Sequence, residues 1–197
     1  MQHPAEYGHH LFPTPLGSCG IAWGPAGIVA VQLPEADPAA TRSRLLRGLP
    51  PPCLQGDAAV ADGLLPPPVL AAVQGIQALL AGQPRDLREV PLDMSGVPAF
   101  HQQVYAIARA IAPGQTRTYG DVAQQLGSLG LARAVGQALG LNPFAPVVPC
   151  HRVLAAGGRP GGFSAGGGAL TKLRMLEIEG ASPGGTLPLF GALGDPR

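Results

Sequence analysis

Cysteine is scarce in this chain and scattered: Cys19, Cys53 and Cys150 are the three present, and no two form a Cys-x-x-Cys pair. An odd number at such spacing excludes a disulfide framework and supports no standard zinc site, so a reducing compartment is expected. His3, His9 and His10 show no paired ligand spacing with Cys19 or Cys53 either, so no metal and no cofactor is expected. No apolar run is long enough to cross a bilayer, and the start MQHPAEYGHH has no charged segment leading into an apolar one. The expectation is a soluble, cytoplasmic protein with no membrane partner.

Acid is missing from one region. Residues 100–174 hold Arg109, Arg117, Arg133, Arg152, Arg159, Lys172 and Arg174 against a single acid, Asp121, whereas residues 1–92 hold five Arg against seven Asp or Glu. The overall net charge of +1 hides this division. Clustered cations suit a polyanion such as nucleic acid, though a solvated basic surface has the same composition.

What is abundant is apolar residue, at 46%, together with 29 Gly and 23 Pro. That composition supports a real core with many turns, as one large domain or two small ones. TPLGSCGIAWGPAGIVAVQLPE reads as two antiparallel strands around Gly24–Gly27. ATRSRLLRGL and PPPVLAAVQGIQALLAG read as helices, the second starting at Pro and stopping at Gly82. LPPPCLQGDAAVADG and AGQPRDLREVPLDMSGVP read as connections outside the core, and a domain boundary is placed near Asp93.

Beyond it the period becomes helical. Phe100, Val104, Ile107, Ala108 and Ile111 share a face that Pro113-Gly114 stops. TYGDVAQQLG, with Thr118 as N-cap and Gly127 as stop, and LGLARAVGQALGLNP form a pair matching a helix-turn-helix. The second of these carries little bulk beyond Arg133, Val135, Gln137 and Leu139. It can serve as a small-residue packing face, or it can approach a duplex and offer Arg133 to a groove or base stack. GALTKLRMLEIEG is a last helix with Leu170, Leu173 and Leu176 on one side.

Cys150 lies in FAPVVPCHRVL, beside His151. A lone cysteine is commonly a small buried hydrophobe, but a neighbouring imidazole can take a thiol proton, directly or through a water. A carboxylate is needed to orient that imidazole, and Asp121, Glu177 and Glu179 all remain open. A water-bridged imidazole and the basic surroundings are together expected to outweigh the apolar run 144–148, leaving Cys150 substantially ionised near neutral pH.

NPFAPVVPCHRVL, preceded by TRTYGDVA and GLARAVGQALGLNP and followed by GGFSAGGGALTKLRMLEIEG, resembles the methylated-DNA–protein-cysteine S-methyltransferases, the O6-alkylguanine-DNA alkyltransferases. The likeness is close over residues 100–180 and loose in the opening hairpin. It implies an α+β fold. Residues 1–92 would form a small sheet-containing, ribonuclease-H-like domain, and residues 93–180 a mostly helical, winged-helix-like DNA-binding and active-site domain, with a loose tail over 181–197.

The resemblance also implies roles. Cys150 would take the alkyl group from guanine O6 in duplex DNA, once and irreversibly, in a monomeric protein. His151 would act on the thiol through a water, Glu179 would orient His151, Tyr119 would protonate the departing base and Asn142 would brace the active-site turn. Arg133 would fill the gap left by the flipped nucleotide, with Tyr119, Ala132, Ala134 and Gly136 also at the DNA. The main chain of Val153 and Ser164 would read the guanine edge beside the Phe163 ring. Phe163 stands where several members have Tyr, and Ala145 where Pro is common. A non-catalytic module that binds alkylated DNA and a Cys-His-Glu hydrolase are the rival readings.

Overall fold

In a computed structural model of the protein, residues 7–54 and 65–181 are described. Three antiparallel strands lie in the order β1 (Gly8–Thr14), β2 (Gly17–Gly24), β3 (Gly27–Gln32). The expected hairpin is present, with Gly24 paired to Gly27. β1 is an addition to it, joined to β2 through a turn that pairs Thr14 with Gly17. Its sequence GHHLFPT hides the strand because two adjacent histidines break the apolar-polar alternation. His9 is nevertheless buried, its ring Nδ1 2.9 Å from the Cys53 carbonyl.

Helix α1 (Pro38–Leu46) is capped by Asp37, whose carboxylate accepts from the Ala40 amide at 2.7 Å. The expected connection after it opens with a helical turn, α2 (Pro51–Leu54), that buries Cys53. The rest of that connection, residues 55–63, lies outside the described residues. Helix α3 (Pro67–Leu80) buries Val69, Val73, Ile76 and Leu79 against Phe12, Ile21, Trp23 and Ile28 of the sheet. Residues 81–98 depart from the expectation of a connection outside the core. Leu87 joins the core, and Val90 and Leu92 pack against it. The segment docks on β3: Ile28 donates to the Pro91 carbonyl at 2.9 Å and Asp93 to the Ile28 carbonyl at 2.8 Å. Further along, Val31 donates to the Pro143 carbonyl at 2.8 Å. The edge of the first sheet is therefore paired with chain that belongs to the second half.

That half contains α4 (Ala99–Arg109), α5 (Tyr119–Gln125), α6 (Ala132–Gly140) and α7 (Ala169–Ile178), with β4 (Arg117–Thr118) parallel to β5 (Val153–Leu154). Val104, Tyr105 and Ala108 of α4 pack with Val122, Val135, Ala138 and Leu139 of the next two helices. Tyr105 was absent from the expected α4 stripe, yet it is buried because its hydroxyl donates to the Ala138 carbonyl at 3.0 Å. The expected leucine face of α7 is corrected. Lys172, Met175 and Leu176 point inward, while Leu170 is 72% exposed. The architecture is mixed α/β, a small antiparallel sheet with several helices.

Gly27 marks how tightly β3 meets the segment docked on it. Its φ is +132°, and a Cβ there would stand 2.7 Å from the Pro91 carbonyl oxygen. Gly27→Ala is expected to lower stability by about 2 kcal/mol. Gly96, whose Cβ would meet nothing within 4 Å, is the control: Gly96→Ala should stay within about 0.5 kcal/mol. Chemical denaturation of both variants checks this, and equal values would contradict it.

Candidate active site

The turn leading to Cys150 is stapled by one side chain. Asn142 donates through Nδ2 to the Val148 carbonyl at 2.8 Å and accepts through Oδ1 from the Phe144 amide at 2.9 Å. The Cys150 amide bonds back to Val148 at 2.8 Å, and a short 3-10 turn, Cys150–Arg152, carries three successive side chains into the interior. Cys150 is 6% exposed, His151 0% and Arg152 5%.

Of the three carboxylates left open for His151, two are engaged elsewhere. Asp121 closes a capping box on α5, accepting from the Thr118 amide at 2.7 Å. Glu177 pairs with Arg174 near the surface at 2.8 Å. Glu179, the C-cap of α7, lies 2.9 Å from His151 Nε2. Arg152 reaches the same carboxylate twice, through Nε at 2.9 Å and Nη2 at 2.8 Å, while its Nη1 donates to the Ile111 carbonyl at 2.6 Å. The Gly114 amide adds a contact at 3.3 Å. Burial alone would raise the Glu179 pKa. Hydrogen bonds from His151 and Arg152 outweigh it and hold the group at about 2.

Burial pushes the His151 imidazole below its ordinary value, with Glu179 pulling the other way. With Glu179 ionised, the proton of the neutral ring sits on Nε2, leaving Nδ1 as the acceptor nitrogen. Nδ1 is buried and has no hydrogen-bond partner among the described residues. Burial also pushes the Cys150 thiol up, more than Asn142, Lys172 and nearby main-chain amides pull it down. The expected ionised thiol is thus corrected to a neutral one at rest. The basic excess that was to favour the thiolate is largely elsewhere: Arg117, Arg133 and Arg174 are exposed and Arg152 is occupied by Glu179.

Lys172, like Arg152, is a buried side chain at the site to which the sequence reading gave no role. It is fully buried, donates to the Val153 carbonyl at 2.6 Å and lies 5.6 Å from the centre of the Tyr119 ring. Burial lowers it to about 8, against the pull of Cys150. Tyr119 is raised, by burial first and then by Cys150. A basic residue inside an apolar helix stripe was the available signal for Lys172.

A cavity of about 590 Å³ joins most of the expected site. Cys150, Tyr119, Arg133, Gly136, Phe163 and Ser164 line it, as does Ala132. Gly136 brings α6 close to the Tyr119 ring, 3.9 Å from where its Cβ would stand. Ala134 is on α6 but not on the cavity wall, and His151, Glu179 and Asn142 stand behind Cys150 rather than in it. Val153 is buried, its carbonyl bound by Lys172. Among the described residues no three of His, Cys, Asp and Glu group as metal ligands. No helix among them is long and apolar enough to cross a membrane.

The two shifted groups make acid stability predictable. Glu179, lowered from 4.5 to about 2, contributes stability that is complete above pH 4.5 and lost as pH falls toward 2, worth about 3 kcal/mol. His151 is depressed below 6.5, so the unfolded chain takes up its proton first and stability also declines as pH drops through 6.5. Denaturation across this range should show both losses. Glu179→Gln should be less stable at neutral pH and should lose the segment of the slope below pH 4.5. An unchanged slope would contradict the assignment.

Residues 99–181 match the family described as "6-O-methylguanine DNA methyltransferase, DNA binding domain". The methylated-DNA–protein-cysteine methyltransferase of Mycobacterium tuberculosis is 43% identical over 119 residues, which is 60% of this chain and 70% of that one. A protein of Thermus thermophilus named "DNA base-flipping protein" is 33% identical over 169 residues, 86% of this chain and 97% of its own. The crystal structure of M. tuberculosis OGT in complex with DNA aligns with a TM-score of 0.63 at 30% identity, covering 88% of this chain and 92% of that one. Sequence and fold agree over both halves of the molecule, and the chain belongs to the methylated-DNA–protein-cysteine methyltransferase family.

Proposed function

We propose that this protein repairs alkylated duplex DNA by moving a methyl or other alkyl group from guanine O6 to Sγ of Cys150. The observation that carries the reading is the setting of that thiol. It borders a cavity walled by Tyr119, α6, Phe163 and Ser164, and next to it in the chain is His151, paired with Glu179. A base in a stacked duplex cannot reach a buried thiol, so the nucleotide must rotate out, at a cost of about a few kcal/mol. The small residues Ala132, Ala134 and Gly136 let α6 approach the duplex, and exposed Arg133 takes the vacated place in the stack.

The chemistry follows from the ionisation of the site. Cys150 rests as a thiol, and His151, neutral and held through Nε2 by Glu179, accepts the thiol proton at Nδ1, directly or through one water. The sulfur–carbon bond forms as the carbon–O6 bond breaks. Tyr119, kept protonated by burial, supplies the proton the departing guanine needs, and Lys172 at its ring faces the resulting phenolate. Imidazolium and phenolate then return to neutrality by proton exchange, and the thioether remains. The Ser164 main chain reads the guanine edge beside the Phe163 ring. The Val153 carbonyl does so too, having a second lone pair beyond the one given to Lys172.

The same reading takes residues 1–92 as the ribonuclease-H-like domain, 93–180 as the winged-helix-like domain and the protein as a cytoplasmic monomer. The small sheet backed by α3 supports the first, and α4, α5 and α6 with the β4–β5 pair support the second.

Intact-mass measurement after mixing with a duplex carrying one alkylated guanine tests the function. One alkyl group per chain is expected, mapped to Cys150, and none in Cys150→Ser. Cys19, buried and pushed up to about 12, should stay unlabelled. Repeated turnover by one chain, or label on Cys19 or Cys53, would refute the proposal.

A further inference from the structure

The wall of the Cys150 cavity that carries Ser164 is the least self-supporting part of the site. Seven of the twelve residues of GGRPGGFSAGGG, residues 157–168, are glycine. Gly157, Gly158, Gly161, Gly167 and Gly168 have positive φ. Ordering such a chain costs more conformational entropy than ordering any other composition. Its internal main-chain support is confined to its ends, where Ala155 donates to the Arg159 carbonyl at 2.8 Å and Gly168 to the Ala165 carbonyl at 3.0 Å. Ser164 itself is held from outside.

The outside partner is in the first half of the chain. Arg44 on α1 donates through Nη2 to the Ser164 carbonyl. Its Nη1 is 2.9 Å from Glu35 Oε1, so the guanidinium is held at both ends. Glu35 is fixed in turn: its amide donates to buried Thr41 Oγ1 at 3.0 Å, and its carboxylate also accepts from Gln32 Nε2 at 3.1 Å. Two residues past Ser164 the loop touches the same segment again. A Cβ on Gly166 would stand 2.6 Å from the Pro34 carbonyl oxygen and 3.0 Å from Glu35 Oε2. Ser164 also lines a second cleft, shared with Arg44 and Val31, that Cys150 does not line. The residue that faces the substrate cavity is thus gripped from behind by the first half of the molecule.

We propose that Arg44, set by Glu35, is a positioning residue that holds the Ser164 main chain in register for the substrate base. This rests on the alkyltransfer reading and assigns the amino-terminal half a direct part in it. The guanidinium is not part of the wall of the Cys150 cavity. It fixes one peptide of a glycine-rich strap, and through it the pocket wall.

The test is single-turnover alkyl transfer to the full chain from two sources, a free O6-alkylguanine base and a duplex containing it. Arg44→Ala is expected to lower the maximal rate about fivefold, the size expected for a charged hydrogen bond at a partly exposed site. The loss should be equal on both substrates, because both are read by the same main chain. Arg44→Lys should recover most of it. Alkylation of Cys150 by iodoacetamide, which needs no pocket wall, should be unchanged, as should affinity for an undamaged duplex. Arg44→Met retains the aliphatic stem and should match Arg44→Ala, which separates a lost donor from a damaged fold. A wild-type rate in both variants would overturn the proposal. So would a loss on duplex alone, which would put Arg44 at the DNA, or an equal loss with iodoacetamide, which would make it merely structural. A wild-type chain that takes no alkyl group from either source would instead overturn the functional reading itself.

Discussion

The site depends on one buried negative charge. A carboxylate in the interior is unfavourable unless its oxygens are satisfied, and Glu179 is satisfied by Arg152, His151 and the Gly114 amide. These contacts join the end of α7, the turn after Cys150 and the segment after α4. Arg152 neutralises the charge, which leaves His151 free to remain an uncharged imidazole. A charged His151 would have no proton-accepting nitrogen left for the thiol. The tautomer, the ring orientation and the local fold are all set by this carboxylate.

Around that charge the protein balances opposing pressures on Cys150. Desolvation favours the thiol, while Asn142 and Lys172 favour the thiolate, and desolvation prevails. In the proposed mechanism this is useful, because a neutral thiol is a poor target for stray electrophiles until a base and a bound substrate coincide. Lys172 serves both reacting groups, standing close to the Tyr119 ring and acting electrostatically on Cys150. The amino-terminal sheet contributes through its edge. A main-chain bond from β3 to Pro143, and a side-chain bond from Arg44 of α1 to the Ser164 carbonyl, reach the turn before Cys150 and the loop after it.

Much of this was legible in the sequence, for identifiable reasons. Helices α3, α5 and α6 announce themselves by Pro, Thr and Gly at their ends, and the hairpin by its Gly-Pro-Ala-Gly break. Cys150 and His151 are adjacent, so chain proximity revealed them together, and the family resemblance added Asn142 from the same short motif. Glu179 was one of three carboxylates on residue chemistry alone, and only the family resemblance favoured it. Distance in space decides among them, and spacing along the chain does not carry that distance. Lys172 and Tyr105 were missed because a polar atom that finds a buried partner looks, in a hydrophobicity pattern, like a surface residue. The ionisation of Cys150 was misjudged for a related reason: charge was counted along the chain, whereas most of those cations point to solvent. Arg44 and Ser164 are far apart in sequence, and nothing local marks them as neighbours.

The central claim is that Cys150 reacts from a neutral thiol through a base that Glu179 keeps in place. The most direct measurement is the pH dependence of the single-turnover rate of Cys150 alkylation by a free O6-alkylguanine base, in the wild type and in Glu179→Gln. The account predicts a wild-type rate that is level through neutral pH and falls in acid as His151 takes a proton. In Glu179→Gln the level region should disappear and the rate should climb with pH, following the thiolate fraction of a buried thiol with no base to assist it. Superimposable profiles would contradict the account, leaving Cys150 activated without His151 or Glu179.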